Sequence, residues 1–123
     1  MTAVIAIVLA LFAQAAADGA PVLQPFGCDG LSTERGRVIC AISSVFGAHT
    51  GAGVRIASCE SKLDPRAQGA AGEKGLMQVH PIHRKRVEAM GYTWEQMTIP
   101  AFNLVVAKAI YDEQGWAPWS CQP

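Results

Sequence analysis

The sequence of 123 residues has no excess charge of either sign. Ten Lys and Arg balance ten Asp and Glu, so the formal net charge is zero. Proteins that bind nucleic acid usually carry a basic surface, and this composition indicates no such partner. The basic run at residues 83–86 is local and is interpreted as a solvated helix face. A C-x-x-C pair and an H-E-x-x-H run are also missing, so we predict no metal and no cofactor.

The chain also lacks internal repeats, linkers and strand-like patterns. No segment alternates apolar and polar residues for long enough to indicate a convincing strand. Half of the residues are apolar, which is sufficient to build the core of one domain. We therefore predict a single, mainly helical domain with little or no β-sheet.

Residues 2–17 contain no charged side chain. An apolar core at about residues 3–13, followed by small residues that fit an A-x-A cleavage site, is typical of a signal peptide, although the segment before the core has no Lys or Arg. We predict a signal peptide at 1–17, an extended lead-in at 18–31 and the folded domain at 32–123. The protein is then secreted, periplasmic or associated with the cell wall. A short membrane anchor and a buried helix are the alternatives, but a spanning helix needs about 20 apolar residues.

Four cysteines follow the apolar segment: Cys28, Cys40, Cys59 and Cys121. An even number of cysteines in an exported chain indicates disulfides, and four cysteines allow three pairings. We favour Cys28–Cys40, which is local, and Cys59–Cys121, which ties the tail to the helix that carries Glu60. Four reduced, buried thiols in a cytoplasmic domain are the alternative.

Capping residues and apolar periodicity predict four main helices. Ser32 or Thr33 caps the first helix, which ends at Gly47. Residues 51–53 (Gly-Ala-Gly) are interpreted as a turn. The second helix is expected at about 54–62, the third from Pro81 to about residue 90, and the last from Pro100 to Gly115.

Glu60 is the carboxylate on which we base a chemical hypothesis. Pro65 prevents extension of the second helix, so Glu60 lies in the last turn of that helix. The negative end of the helix dipole disfavours an ionised carboxylate, as does apolar surface such as Met77 or Trp119 packed nearby. A carboxyl that keeps its proton near neutral pH can act as a general acid. An ordinary surface glutamate is the alternative.

Glu60 also belongs to an ordered set of motifs. In chain order they are Glu60-Ser61, Asp64-Pro65, a loop of small residues, Gly75-Leu76-Met77-Gln78, Pro81, and Pro100-x-x-Asn103. This set resembles the lytic transglycosylases of the lysozyme-like superfamily, of the soluble-lytic-transglycosylase type. The resemblance covers about residues 54–119 and implies a lysozyme-like fold (α+β superfamily) around a glycan cleft.

The resemblance also implies a substrate and a reaction. The substrate is the bacterial peptidoglycan strand of β-1,4-linked N-acetylmuramic acid and N-acetylglucosamine. Glu60 protonates the glycosidic oxygen and then acts as base on the C6 hydroxyl, which closes a 1,6-anhydro ring. The alternatives are a hydrolytic muramidase and a non-catalytic glycan-binding or scaffold domain, for instance in a secretion or phage-tail apparatus. We expect a monomer.

Five further residues are candidates for substrate binding. Gln78 can present its amide to the sugar, and Ser61 can either bond near the reacting centre or cap the helix end. Met77 and Asn103 are either cleft residues or structural ones. Trp119 can stack on a sugar ring or pack against the disulfide.

Hydrolysis usually needs a second carboxylate, and two residues near Glu60 are candidates. Asp64 stands where the family usually has Asn and is interpreted as shaping the turn before Pro65. Glu73 lies in the small-residue loop and is interpreted as solvated. This lack of a convincing second carboxylate favours anhydro-forming cleavage.

Overall fold

The computed structural model describes residues 26–123, so the expected signal peptide and most of the lead-in lie outside the described residues. The α-helices are α1 (Glu34–Phe46), α2 (Thr50–Ser61), α3 (Arg84–Ala89) and α4 (Pro100–Gln114). Short 3₁₀ helices occupy Gly47–His49, Pro81–His83 and Trp94–Thr98. Within residues 26–123, no helix is both long enough and apolar enough to cross a membrane.

Helix α1 begins and ends at the residues that the sequence indicated. The Gly36 N–H donates to Oγ1 of Thr33 (N···O 3.0 Å), which satisfies one of the free donors of the first turn. Gly47 ends the helix with a positive φ of 53°. The buried side chains of α1 include Val38, Ile42 and Phe46, and the helix packs against α2 and α4. The cap and the end of α1 are therefore confirmed.

The interpretation of residues 51–53 as a turn is wrong, because α2 begins at Thr50 and includes them. Packing explains why glycine is tolerated here. A Cβ on Gly53 would lie 3.0 Å from Cγ2 of Ile42, which is closer than ordinary van der Waals contact. Gly53 thus allows α2 to approach α1 closely.

The expectation of little or no β-sheet is confirmed for residues 26–123. Their only β-pairings are two isolated bridges, Gln68–Lys74 and Lys74–Val79. The third predicted helix is divided in two, because residues 81–83 form a 3₁₀ turn before α3. Pro81 opens that turn and Pro100 opens α4, as expected for residues without a backbone donor.

Two disulfides cross-link the domain. Cys28 pairs with Cys40 and Cys59 with Cys121, with Cα–Cα distances of 5.8 Å and 6.1 Å. Both distances are usual for a disulfide. This is the pairing that we favoured, and it joins the end of α2 to the C-terminal tail.

Candidate active site

Glu60 lies in the last turn of α2, where the sequence placed it. The helix ends because Lys62 and Leu63 both adopt left-handed backbone angles, with φ of 54° and 60°. The Leu63 N–H then donates to the Ala57 carbonyl (3.3 Å), and the Leu63 side chain is buried. This backbone conformation is unfavourable for residues with a Cβ. Burial of Leu63 stabilises it, and Glu60 is thereby fixed at the helix end.

The C-terminal tail holds one oxygen of the Glu60 carboxylate. The Cys121 N–H donates to Oε1 (N···O 2.9 Å), and Cys121 is covalently joined to Cys59, the neighbour of Glu60. Oε2 accepts no hydrogen bond from residues 26–123. One oxygen is therefore fixed and the other remains available to a ligand. The end of α2 and the tail at residues 116–121 are called the helix wall below.

A cleft of about 280 Å³ opens beside Glu60. Its lining residues come from the end of α2, the loop before α3, α4 and the tail. They are Glu60, Ala71, Glu73, Gln78, Val79, His80, His83, Ile110, Pro118, Trp119 and Ser120. None of them is Lys or Arg, so carboxylates and imidazoles are the ionisable groups of the cleft.

The loop at residues 67–79, called the loop wall below, is held by Asn103 of α4. Nδ2 of Asn103 donates to the carbonyls of Lys74 (2.9 Å) and Met97 (2.8 Å). Oδ1 accepts from the Met77 N–H (2.9 Å). Asn103 is fully buried, so all of its hydrogen bonds go to the backbone that it positions.

Gly75 allows this close contact. It has a φ of 78°, and a Cβ there would lie 2.0 Å from the Met97 carbonyl oxygen and 2.4 Å from Nδ2 of Asn103. No other residue fits without movement of the backbone. The glycine of the G-L-M-Q motif therefore has a packing role as well as a conformational one.

Trp119 connects the two walls. Its Nε1–H donates to the Met77 carbonyl (2.7 Å), and its ring makes an edge-to-face contact with Trp116, with centroids 5.6 Å apart. Trp119 lines the cleft although it is only 7% exposed. An edge of the ring is therefore presented to the cleft, and most of its surface is packed.

Gln78 lies in the cleft with a fixed orientation. Its Nε2 donates to the carbonyls of Ala67 (3.1 Å) and Gly75 (2.9 Å). These bonds use both amide hydrogens. Oε1 is therefore the part of the side chain that can contact a ligand, and it can only accept hydrogen bonds.

The structure brings two of the five predicted binding residues to the cleft, Gln78 and Trp119, and not the other three. Ser61 is buried, and its hydroxyl donates to the Ala57 carbonyl (2.9 Å). Met77 has no exposed surface, and Asn103 acts on the loop wall as described. These three residues are buried next to the residues of the cleft and do not line it.

The two candidate second carboxylates have different environments. Oδ1 of Asp64 accepts from the Arg66 N–H (2.9 Å), which is the turn-shaping role expected from sequence. The interpretation of Glu73 as solvated is wrong. Glu73 lines the cleft, and its Oε1 is buried without a hydrogen-bond partner among residues 26–123. Its burial results from the folding of the loop, which no sequence pattern indicated.

His80 and His83 also line the cleft, although no catalytic role was predicted for them. Nδ1 of His80 accepts from the Ile82 N–H (3.1 Å). Burial, then the positive charges of Arg86 and His80, lower the pKa of His83 below its usual value of 6.5. His83 therefore contributes a neutral imidazole to the cleft near pH 7. The only sequence feature that could have indicated their place in the cleft was their position on either side of Pro81.

A metal centre is not found in the part of the chain that the structure describes. Residues 26–123 contain no group of three or more His, Cys, Asp or Glu side chains that could hold a metal ion.

A helical domain that holds a partly buried glutamate over a polar cleft has the features of an enzyme that cleaves glycosidic bonds by acid–base chemistry. The family model of the transglycosylase SLT domain matches residues 48–114, and the chain belongs to this family. It is a peptidoglycan lytic transglycosylase with a lysozyme-like helical domain. No curated protein and no solved structure matches the chain significantly.

Proposed function

We propose that this enzyme cleaves the β-1,4 bond between N-acetylmuramic acid and N-acetylglucosamine and leaves 1,6-anhydro-muramic acid ends. Glu60 first gives its proton to the glycosidic oxygen. It then takes the proton of the C6 hydroxyl, whose oxygen attacks C1 and closes the ring. The route regenerates protonated Glu60, so this single carboxyl is sufficient.

The geometry of Glu60 carries the proposal. The Cys121 N–H holds Oε1, whereas Oε2 remains available for proton transfer. Glu60 also lies in the cleft beside Trp119 and Gln78, which offer an indole edge and a fixed acceptor oxygen. The indole edge can make an apolar contact with a sugar, and Oε1 of Gln78 can accept from a hydroxyl or an amide N–H.

Digestion of purified peptidoglycan tests this proposal. Mass spectrometry of the products is expected to detect muropeptides with 1,6-anhydro ends. Glu60→Gln removes the transferable proton and is expected to lower cleavage roughly a thousandfold. Glu88→Gln, an exposed residue of α3, is the matched control. Cleavage by Glu60→Gln at the rate of the parent enzyme would exclude this role.

Export is part of the same proposal. It is supported by the uncharged apolar segment at residues 2–17 and by two disulfides, because disulfides persist in oxidising compartments. N-terminal sequencing of the protein recovered outside the cytoplasm is expected to begin at or near Asp18. A membrane-bound protein that retains Met1 would indicate an anchor instead.

A further inference from the structure

Glu73 is a carboxylate in the cleft that anhydro-forming cleavage does not use. Its Oε1 is buried without a donor in the described part of the chain, and it forms no ion pair there. The neighbouring Lys74 is directed elsewhere, with Nζ 5.9 Å from the ring centroid of Trp94. A buried carboxylate oxygen without a donor is costly. Glu73, which lines the cleft, therefore has acceptor capacity that no described residue uses.

Gln78 places a second acceptor beside Glu73. Gly69 locates both groups, because a Cβ on Gly69 would lie 2.3 Å from Oε2 of Glu73 and 2.6 Å from Oε1 of Gln78. Both oxygens lie close to the same point, so Oε2 of Glu73, rather than its buried Oε1, is the oxygen beside Gln78. Gln78 cannot rotate to offer a donor, since both amide hydrogens bind backbone carbonyls. The loop wall therefore presents two adjacent acceptors to a ligand that brings two hydrogens.

We propose that Glu73 and Gln78 bind a water molecule and activate it for hydrolysis of the same glycosidic bond, so that the enzyme also forms hydrated reducing ends. A water that donates one hydrogen to each acceptor turns its lone pairs toward the cleft, where Glu60 serves as the acid. The inference rests on the proposed role of Glu60. It adds Glu73 as a second catalytic residue that sets which product is formed.

Glu60 gives its proton to the glycosidic oxygen, and the bond between C1 and that oxygen breaks. The water oxygen bonds to C1, one water proton passes to Glu73, and the other stays on the new C1 hydroxyl. Glu60 ends ionised and Glu73 protonated, and exchange with solvent restores both. The C6 hydroxyl competes with this water for C1, so the product ratio reports on Glu73.

The experiment is digestion of purified peptidoglycan in ¹⁸O-labelled water, with products weighed by mass spectrometry. The parent enzyme is expected to form hydrated ends that carry ¹⁸O alongside anhydro ends. Glu73→Gln keeps the shape of the side chain but cannot accept the proton, so the ratio of hydrated to anhydro ends should fall roughly a hundredfold. Glu88→Gln is the control and should keep the parent ratio.

Gly69→Ala is a second test that retains the carboxylate. Its Cβ would displace the Glu73 and Gln78 oxygens, and the backbone of Gly69 does not need a positive φ. The ratio should fall in this variant too. Thermal melting establishes that each variant is folded, and the ratio, unlike total activity, does not depend on how much of the protein is folded.

Two results would overturn the inference. Anhydro ends alone from the parent enzyme would exclude Glu73-dependent hydrolysis and leave the proposed function intact. An unchanged ratio in Glu73→Gln would show that Glu73 activates no water. Absence of all cleavage by the parent enzyme is the separate failure of the proposed function.

Discussion

The helix wall and the loop wall of the cleft are held by different kinds of bond. The helix wall is joined to the tail by the Cys59–Cys121 disulfide, and the tail N–H holds Glu60. The loop wall has no covalent tie, and Asn103 holds it through two hydrogen bonds, one accepted from the Met77 N–H and one donated to the Lys74 carbonyl. The tail buries Trp119 in the core, but the residues beyond Trp119 are exposed or half-buried, and the disulfide fixes them. The loop wall lies against α4, where the buried amide of Asn103 can form hydrogen bonds with its backbone groups.

Asn103→Ala tests the loop wall and should have the largest effect on stability. It leaves the Met77 N–H without a partner and removes the Asn103 donor from the Met97 and Lys74 carbonyls, although the Lys74 carbonyl still accepts from the Val79 N–H. With the cavity left by the buried side chain, the free energy of unfolding should fall by about 5 kcal/mol. Urea denaturation measures the loss. Gln114→Ala, an exposed change on the same helix, is the control. A loss below about 1 kcal/mol would mean that contacts other than those of Asn103 stabilise the loop wall.

Replacement of Cys59 and Cys121 by Ser tests the helix wall. The disulfide closes a loop with a sequence separation of 62 residues, so its removal should cost about 4 kcal/mol in the chain-entropy model. Cleavage per folded molecule should also fall, because the Cys121 N–H is no longer held at Glu60.

The matched control replaces Cys28 and Cys40, which are 12 residues apart. That change should cost about 3 kcal/mol and should leave cleavage per folded molecule unaffected, because neither cysteine lines the cleft. Equal losses of cleavage in the two double variants would show that the tail has no special role in holding Glu60.

Gly75→Ala separates close packing from backbone conformation in the loop wall. Alanine should cost about 3 kcal/mol here, since a positive φ and a contact with the Met97 carbonyl oppose it together. Gly91→Ala is the matched comparison, because Gly91 also has a positive φ (87°) but no atom lies within 4 Å of its added Cβ. It should cost about 1 kcal/mol. Equal losses in thermal denaturation would show that the contact at Gly75 is unimportant.

Trp119→Phe breaks the link between the walls. It removes the Nε1–H bond to the Met77 carbonyl, so the loss in chemical denaturation should be about 1.5 kcal/mol. Trp116→Phe keeps every hydrogen bond described above and should cost less. If Trp116→Phe is the more damaging change, aromatic packing rather than the hydrogen bond joins the walls.

His83→Gln should have the smallest effect, and that effect should depend on pH. The pKa of His83 is lowered in the fold, mainly by burial, so the unfolded chain takes up the proton first as the pH falls. His83 therefore contributes stability that is present above about pH 6.5 and is lost as the pH falls below it. The variant lacks this loss, so its stability should decline less steeply on acidification. Parallel declines would contradict the pKa direction.

Local signals predicted the helix wall better than the loop wall. Pro65 and the motif order placed Glu60 at a helix end, and Thr33 and Gly47 gave the limits of α1 correctly. Asn103 acts on residues 26 and 29 positions away, and such contacts leave no periodicity in the sequence. Gly53 was misread because glycine serves turns and close helix contacts alike. The burial of Glu73 was missed because the loop fold creates it.

The Cys59–Cys121 disulfide also determines which fragments a protease can release. Every residue that lines the cleft lies between the two cysteines in sequence. A single cut at the exposed residues 70–72 would leave two fragments that remain covalently joined, and each would carry part of the site. The residues of the cleft thus belong to one disulfide-closed loop of the polypeptide, and a single cut in that loop releases neither fragment.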